Sequence, residues 1–294
     1  MTVFQAFLQG VLQGLTEFLP VSSSGHLSLF QYFTGTSGDS SFLFSILLHA
    51  GTLVAVCIVF WRTLLELAVE AVYLVGDLFT GRLFRPQSRH MPPMRRMLLF
   101  LLLSLAPLLL MFFIKDFVEG FSTDNDVTVE GFCFLLTGLL LLTASRHDRG
   151  RRTAENMTGR SALAVGAAQL VATMPGISRS GSTICTGMLW GFSREYAVTY
   201  SFILGIPAVL GAIVLEVPDA VAEGVALPAG VVVTGFLTSL VVGVLAIRLV
   251  QWVVRGNKLK YFGWYTLALG AVTLAVGFID HLAGYPVQQF FAQL

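Results

Sequence analysis

Charge is what this sequence has least of. Only 12% of its 294 residues are Asp, Glu, Lys or Arg, about half the share carried by a water-soluble domain. Such a chain cannot clothe a large globule in solvated side chains, which excludes an ordinary soluble enzyme. The net charge of +1 supplies no basic excess, and no nucleic-acid partner is expected. Cysteine is equally sparse. Cys57, Cys133 and Cys185 are odd in number, lie in apolar stretches and have no metal-ligand spacing, so they read as buried or lipid-facing thiols. The first residues carry no basic leader and no clear cleavage site, and they read as part of the mature chain rather than as a signal peptide.

What is present is apolar length. Hydrophobic residues make up 55% of the chain, gathered into runs long enough to cross a bilayer. The expected spans are Phe42–Trp61, Met97–Ile114, Gly131–Ser145 (beginning a few residues earlier), Ala197–Leu215, Ala226–Ile247 and Tyr261–Ile279. Two other apolar stretches, 1–40 and 161–193, are interrupted by Pro, Ser and Gly. They read as re-entrant helix–loop–helix hairpins, which lipid tolerates only where the loop is buried in protein or lines a cavity.

The charges set an orientation. One basic, amphipathic connection carries Arg62, Arg82, Arg85, Arg89, Arg95 and Arg96. Further basic loops carry Arg146, Arg149, Arg151, Arg152 and Arg160, and Arg248, Arg255, Lys258 and Lys260. By the positive-inside rule these loops and Arg194 lie in the cytoplasm, leaving Lys115 and Arg179 as the exceptions. The acidic loops, one with Asp116, Glu119, Asp124, Asp126 and Glu130 and one with Glu216, Asp219 and Glu223, fall outside. Both termini then lie outside, and the two hairpins enter from opposite sides.

A shift of 156 residues superposes 6–48 on 162–204. Ala6/Ala162, Gly10/Gly166, Gln13/Gln169, Ser22/Ser178, Ser24/Ser180, Gly25/Gly181, Gly35/Gly191, Ser37/Ser193, Ser45/Ser201 and Leu48/Leu204 are identical. With the opposed charge pattern, this reads as an inverted repeat whose broken helices meet near the midplane. The expected fold is therefore an all-α integral membrane protein, one membrane domain over 1–294, with repeats near 1–145 and 160–282. The two loops should face each other, bringing Arg179 to Glu17 and His26.

The loop residues suggest chemistry. Arg179 is a cation expected within the membrane, and a guanidinium fork suits a phosphate. Ser178, Ser180 and Thr183 offer hydroxyls, Gly176 and Gly181 allow close backbone approach, and a helix N-terminus follows. The loop lacks the Walker spacing, so no nucleotide is indicated. Gln13 and Glu17 are four residues apart on one helix face, where amide and carboxylate oxygens suit a hard divalent cation, Mg²⁺ or Ca²⁺. His26 is a candidate base, and Ser22, Ser23 and Ser24 are candidate nucleophiles or hydrogen-bonding caps. His49 reads as a packing residue or a support behind the site. Together these residues point to metal-assisted phosphoryl transfer to water, on a lipid-linked phosphate.

Gln13-Gly-Leu-Thr-Glu17-Phe-Leu-Pro-Val-Ser-Ser-Ser-Gly-His26 and Pro175-Gly-Ile-Ser-Arg-Ser-Gly-Ser-Thr183 resemble the two signatures of the BacA-type undecaprenyl pyrophosphate phosphatase family of bacteria. The resemblance extends over the whole chain. It implies hydrolysis of undecaprenyl diphosphate to the monophosphate, recycling the carrier for peptidoglycan synthesis and conferring bacitracin resistance. It also implies divalent-metal dependence, a homodimer, and residence in the bacterial cytoplasmic membrane with the site opening outward. In these terms Glu17 is a metal-side or acid–base carboxylate with Gln13 beside it. Ser23 is the nucleophile, His26 the base and Arg179 the diphosphate clamp. Ser22, Ser24, Ser178, Ser180, Gly181 and Thr183 would surround the substrate. Gln13 stands where other members carry Glu. The rival reading, from the inverted repeat alone, is a polyprenyl phosphate flippase or transporter.

Overall fold

The computed structural model describes residues 1–34, 39–80, 91–114, 118, 120, 126–147, 150–222 and 227–283, with side chains left aside at 39–42, 216–222 and 283. The described residues are helical apart from short connections and one isolated bridge, Arg152 to Phe192. The helices are α1 (Val3–Thr16), α2 (Ser23–Thr34), α3 (Asp39–Val59), α4 (Trp61–Phe79), α5 (Pro93–Leu105), α6 (Thr128–Ser145), α7 (Gly159–Val171), α8 (Arg179–Leu189), α9 (Arg194–Ala222), α10 (Ala229–Arg255) and α11 (Leu259–Ala283).

Among the described residues, five helical segments are long and apolar enough to cross a membrane: Pro93–Ile114, Thr128–Ser145, Arg194–Leu215, Ala229–Arg255 and Leu259–Leu282. Leu43–Val59 joins Trp61–Phe79 through an 84° bend and makes a sixth as a bent pair. The protein is thus a multi-pass membrane protein, with spans where the apolar runs predict them. Several boundaries differ: the span expected to end at Ile247 runs on to Arg255, and the one expected from Met97 begins at Pro93. The first expected span runs to Trp61, but the helix breaks at Phe60, and α4 takes up the start of the basic connection. Arg95 holds α4 against α5, with Nε 3.0 Å from Glu70 Oε2 and Nη1 2.8 Å from Asp77 Oδ2. Arg82, Arg85, Arg89, Lys115, Asp116, Glu119, Asp124, Arg149, Glu223, Gly35 and Ser37 lie outside the described residues, as do the side chains of Glu216 and Asp219.

The span after α4 narrows after Leu105 into a 3₁₀ turn, Ala106–Leu110. Pro107 sits at its start and has no N–H to continue the α-helical ladder. The chain's apolar majority faces outward as well as inward. Val72, Phe112, Phe113, Leu139, Val241, Leu245 and Val272 are exposed large hydrophobics, as lipid-facing side chains must be.

The helices α1, α2, α7 and α8 are short, with 14, 12, 13 and 11 residues. At about 1.5 Å per residue none reaches the ~30 Å of a hydrocarbon core. Each instead packs part of its surface on its neighbours. α1 packs on α10 and α3, and α7 and α8 pack on each other. Apolar side chains gain little from leaving lipid for one another, so close backbone approach carries much of this packing. A Cβ added at Gly14 would stand 2.8 Å from Val242 Cβ and 2.9 Å from the Ser239 carbonyl oxygen. The α6–α11 pair meets as closely, with a Cβ at Gly270 falling 2.8 Å from the Gly131 carbonyl.

Asp126 ties the start of α6 to the end of α11. Its Oδ1 accepts from the Thr128 N–H at 2.9 Å and the Thr128 hydroxyl at 2.7 Å, and its Oδ2 lies 2.9 Å from His281 Nε2. Burial alone would raise the Asp126 pKa, but Thr128 and His281 outweigh it and hold the carboxyl below its ordinary value.

Gly14→Leu should drive α1 off α10 and destabilise the protein by about 1–3 kcal/mol or more. The thermal midpoint in detergent measures this; an unchanged midpoint would show that the close approach is not needed.

Candidate active site

Two Pro/Ser/Gly loops, each between a pair of short helices, build the site. In the first, α1 ends at Thr16 and the chain turns through Pro20 and Ser22. Ser22 is buried and has φ 73°, a left-handed conformation costing a non-glycine residue about 1–3 kcal/mol. Local bonds hold it there. Its hydroxyl lies 3.3 Å from Ser24 Oγ and accepts from the Gly25 N–H at 3.3 Å, and its carbonyl lies 2.7 Å from His26 Nδ1.

The second loop repeats this pattern. Ser178 Oγ lies 3.3 Å from Ser180 Oγ and accepts from the Gly181 N–H at 3.0 Å, capping α8. Gly176 has φ +87°, and a Cβ there would stand 2.7 Å from Cys133 Cβ and 2.8 Å from the Glu130 carbonyl. Both the backbone and the space therefore demand glycine.

The loops face each other as the repeat predicts. Ser180 Oγ donates to the Leu19 carbonyl at 3.3 Å. A Cβ at Gly25 would lie 2.9 Å from Gly176 Cα, and one at Gly181 would lie 3.3 Å from Pro20 Cβ.

Glu17 is the hub. Its Oε1 accepts from Arg179 Nη2 in an ion pair that joins the end of α1 to the start of α8. Its Oε2 accepts from Ser23 Oγ at 2.6 Å and from Gln13 Nε2 at 3.0 Å, and His49 Nε2 stands 3.7 Å away. The carboxylate is buried, with 6% of its side chain accessible against 22% for Arg179. Gly205 on α9 makes room for the guanidinium, which a Cβ there would overlap. Behind the pair a small cleft is lined by Phe18, Thr52, Phe202 and Gly205. A carboxylate this dry persists because an arginine, a hydroxyl and an amide all donate to it.

Several expected roles shift. His26 does not meet Arg179 or Ser23 in a hydrogen bond; its nitrogens face Ser22 O and the Tyr265 hydroxyl, each at 2.7 Å. The proton of the Ser23 hydroxyl points to Glu17 instead. Ser178, Ser180 and Thr183 are buried, and their oxygens are engaged. Ser178 caps α8, Ser180 reaches Leu19, and Thr183 donates to the Arg179 carbonyl at 2.8 Å and meets Ser201 Oγ. Of the first-loop serines, Ser24 is exposed and Ser23 partly so. Sequence reasoning missed Tyr265, Thr137 and Ser201 as site residues, whereas His49, read as packing or a support behind the site, stands beside Glu17. Thr137 Oγ1 accepts from the Ser178 N–H at 3.1 Å. Their one signal was a polar atom within an apolar helix.

The fold and site together define a polytopic helical membrane protein with a Glu–Arg–Ser constellation held between two pairs of broken helices. By comparison with known proteins, this chain belongs to the family described as bacitracin resistance protein BacA, whose model matches residues 6–272. The undecaprenyl-diphosphatase of Rubrobacter xylanophilus is 41% identical over 276 residues, covering 93% of this chain and 98% of that protein. That of Alkaliphilus metalliredigens is 38% identical over 276 residues, with the same coverage. That of Methanosphaera stadtmanae is 34% identical over 278 residues, covering 94% and 99%.

Arg179→Ala should leave the buried Glu17 carboxylate unpaired and destabilise the protein by about 3–5 kcal/mol. Adding Glu17→Gln should recover much of that loss in a thermal-unfolding comparison. Additive losses would mean that the two charges are not coupled.

Proposed function

We propose that this protein hydrolyses undecaprenyl diphosphate to undecaprenyl phosphate and inorganic phosphate at the Glu17–Ser23–Arg179 centre. One observation carries the reading: the Ser23 hydroxyl, partly exposed, donates to Glu17 Oε2 at 2.6 Å, while Arg179 is paired to the other oxygen of the same carboxylate. A carboxylate so placed is an acceptor for the serine proton.

In this mechanism Ser23 Oγ attacks the distal phosphorus as its proton passes to Glu17, and undecaprenyl phosphate leaves. Water then attacks the phosphoserine and gives one proton to His26. The P–Oγ bond breaks, and Oγ takes its proton back from Glu17. The products are inorganic phosphate and one proton released through His26. Arg179, at the first turn of α8, turns part of its fork toward the diphosphate oxygens, whose charge it neutralises. The apolar surround suits the polyprenyl chain.

The residues fit a hard divalent cation, Mg²⁺ or Ca²⁺. The Gln13 amide oxygen is buried without a partner, beside a carboxylate, and both are oxygen donors of the kind these ions take. No group of three or more His, Cys, Asp or Glu that could hold a metal occurs among the described residues, so Gln13 and Glu17 would share the ion with substrate oxygens and water. When bound, the ion neutralises phosphate charge.

The same proposal has an architecture. The matching serine caps of the two loops support reading the chain as two inverted repeats, 1–145 and 160–282, with α1–α2 and α7–α8 as re-entrant hairpins. The protein acts as a homodimer in the cytoplasmic membrane of a bacterium, and its first hairpin opens outward.

Phosphate release from undecaprenyl diphosphate by purified protein tests the reading. Wild type should turn over and lose activity in EDTA, and Arg179→Ala should fall by about 10²-fold or more, equivalent to ~2.7 kcal/mol of transition-state stabilisation. A folded wild type that releases nothing would overturn the phosphatase reading in favour of a polyprenyl phosphate flippase. Ser23→Ala should abolish turnover; activity within about tenfold of wild type would assign the attack to water instead.

A further inference from the structure

Tyr265 lies 239 residues from His26 in the chain and 2.7 Å from it in space. His26 Nδ1 is 2.7 Å from the Ser22 carbonyl oxygen, and a carbonyl only accepts, so Nδ1 carries the hydrogen. In the neutral ring Nε2 is then the lone-pair nitrogen, and the Tyr265 hydroxyl donates to it. The contact is more than one bond. The two rings lie nearly parallel, 14° apart with centroids at 5.8 Å, and Phe134 meets the imidazole edge-on at 5.4 Å. α2 carries His26, α6 carries Phe134 and α11 carries Tyr265, so the imidazole is gripped by two helices outside its own hairpin. α6 and α11 pack along each other, which makes that grip rigid. α2 itself has its main packing on α1, so the aromatic grip is a principal restraint on where His26 points.

We propose that Tyr265 is the positioning residue for His26: the Ser22 carbonyl sets the tautomer, and Tyr265 fixes the direction of the basic nitrogen. This rests on His26 acting as the base of the proposed hydrolysis. A phenol hydroxyl can donate or accept. It donates to Nε2 while the ring is neutral, gives that proton to Nε2 as its oxygen takes one from the attacking water, and then accepts from the new Nε2–H. The ring orientation is thus held through both halves of the cycle. The arrangement also accounts for the separation of His26 from Ser23: Glu17 serves the serine, and the His26–Tyr265 pair is reserved for the water. A ring without the hydroxyl would keep the stacking and lose the hydrogen bond that aims Nε2.

Tyr265→Phe isolates the hydroxyl. Its kcat for undecaprenyl diphosphate should fall about tenfold, with KM within about twofold and an unchanged thermal midpoint. In a His26→Ala background the same substitution should have no further effect. Nitrogen NMR of labelled His26 should show the Nδ1–H tautomer in both proteins, with the Nε2 resonance shifted in Tyr265→Phe by loss of its hydroxyl donor. An unchanged kcat in Tyr265→Phe, or an undiminished effect without His26, overturns the positioning role while leaving the phosphatase reading intact. Full activity in His26→Ala removes the base role of His26 and the proposal with it. If the protein hydrolyses no diphosphate at all, an unshifted Nε2 resonance in Tyr265→Phe overturns the assignment, and a shifted one upholds it.

Discussion

The ion pair of Glu17 and Arg179 is the interaction around which the molecule is arranged. An unpaired buried charge costs several kcal/mol, so neither residue is carried alone by its own loop. Each is tolerated because the other loop supplies its partner, and the pair therefore joins two segments 162 residues apart. The Ser23 and Gln13 donors follow from the same need, since a desolvated carboxylate must have its lone pairs filled. A stabilising constraint and a reactive arrangement thus share one carboxylate: the hydroxyl that satisfies Glu17 is the one best placed to lose its proton to it.

That pair needs a frame that lipid alone cannot build. Four short helices, none long enough to cross, have to be held at depth by the long ones. The device is close backbone approach. Gly14 lets α1 lie on α10, and Gly205 leaves a hollow for the Arg179 guanidinium. Gly176 takes a left-handed turn tight against α6. The loops then need internal satisfaction, because Ser22 and Ser178 at their turns are buried. Ser22 and Ser178 provide it in matching fashion, each accepting from the backbone three residues on. Hydroxyls that looked like an anion cradle in the sequence are in large part the fabric that holds the loops open.

The spans were legible because lipid imposes length and hydrophobicity on every crossing segment. The Glu17–Arg179 contact was legible because intramembrane charges require partners, and because the repeat register set the two loops against each other. The end of the first span was less so: Trp61 continues the apolar run, and only the structure breaks it at Phe60 and turns α4 aside by 84°. His26 shows the other limit. Its neighbours in the chain are serines, which invite a His–Ser reading, yet its ring nitrogens face the Ser22 carbonyl and Tyr265.

The sequence by itself determined the class of protein, the number of long apolar segments to within one, the two loops and the charged residues at their centre. These follow from composition and local spacing, which act through the solvent: lipid excludes polar backbone and isolated charge wherever they occur. Only the tertiary structure decided which donor serves which acceptor. Ser23 turns to Glu17, His26 to Tyr265 and Thr137 to the second loop because helices distant in sequence pack side by side. A hydrogen bond depends on ångström distances and ring orientation that no residue spacing encodes.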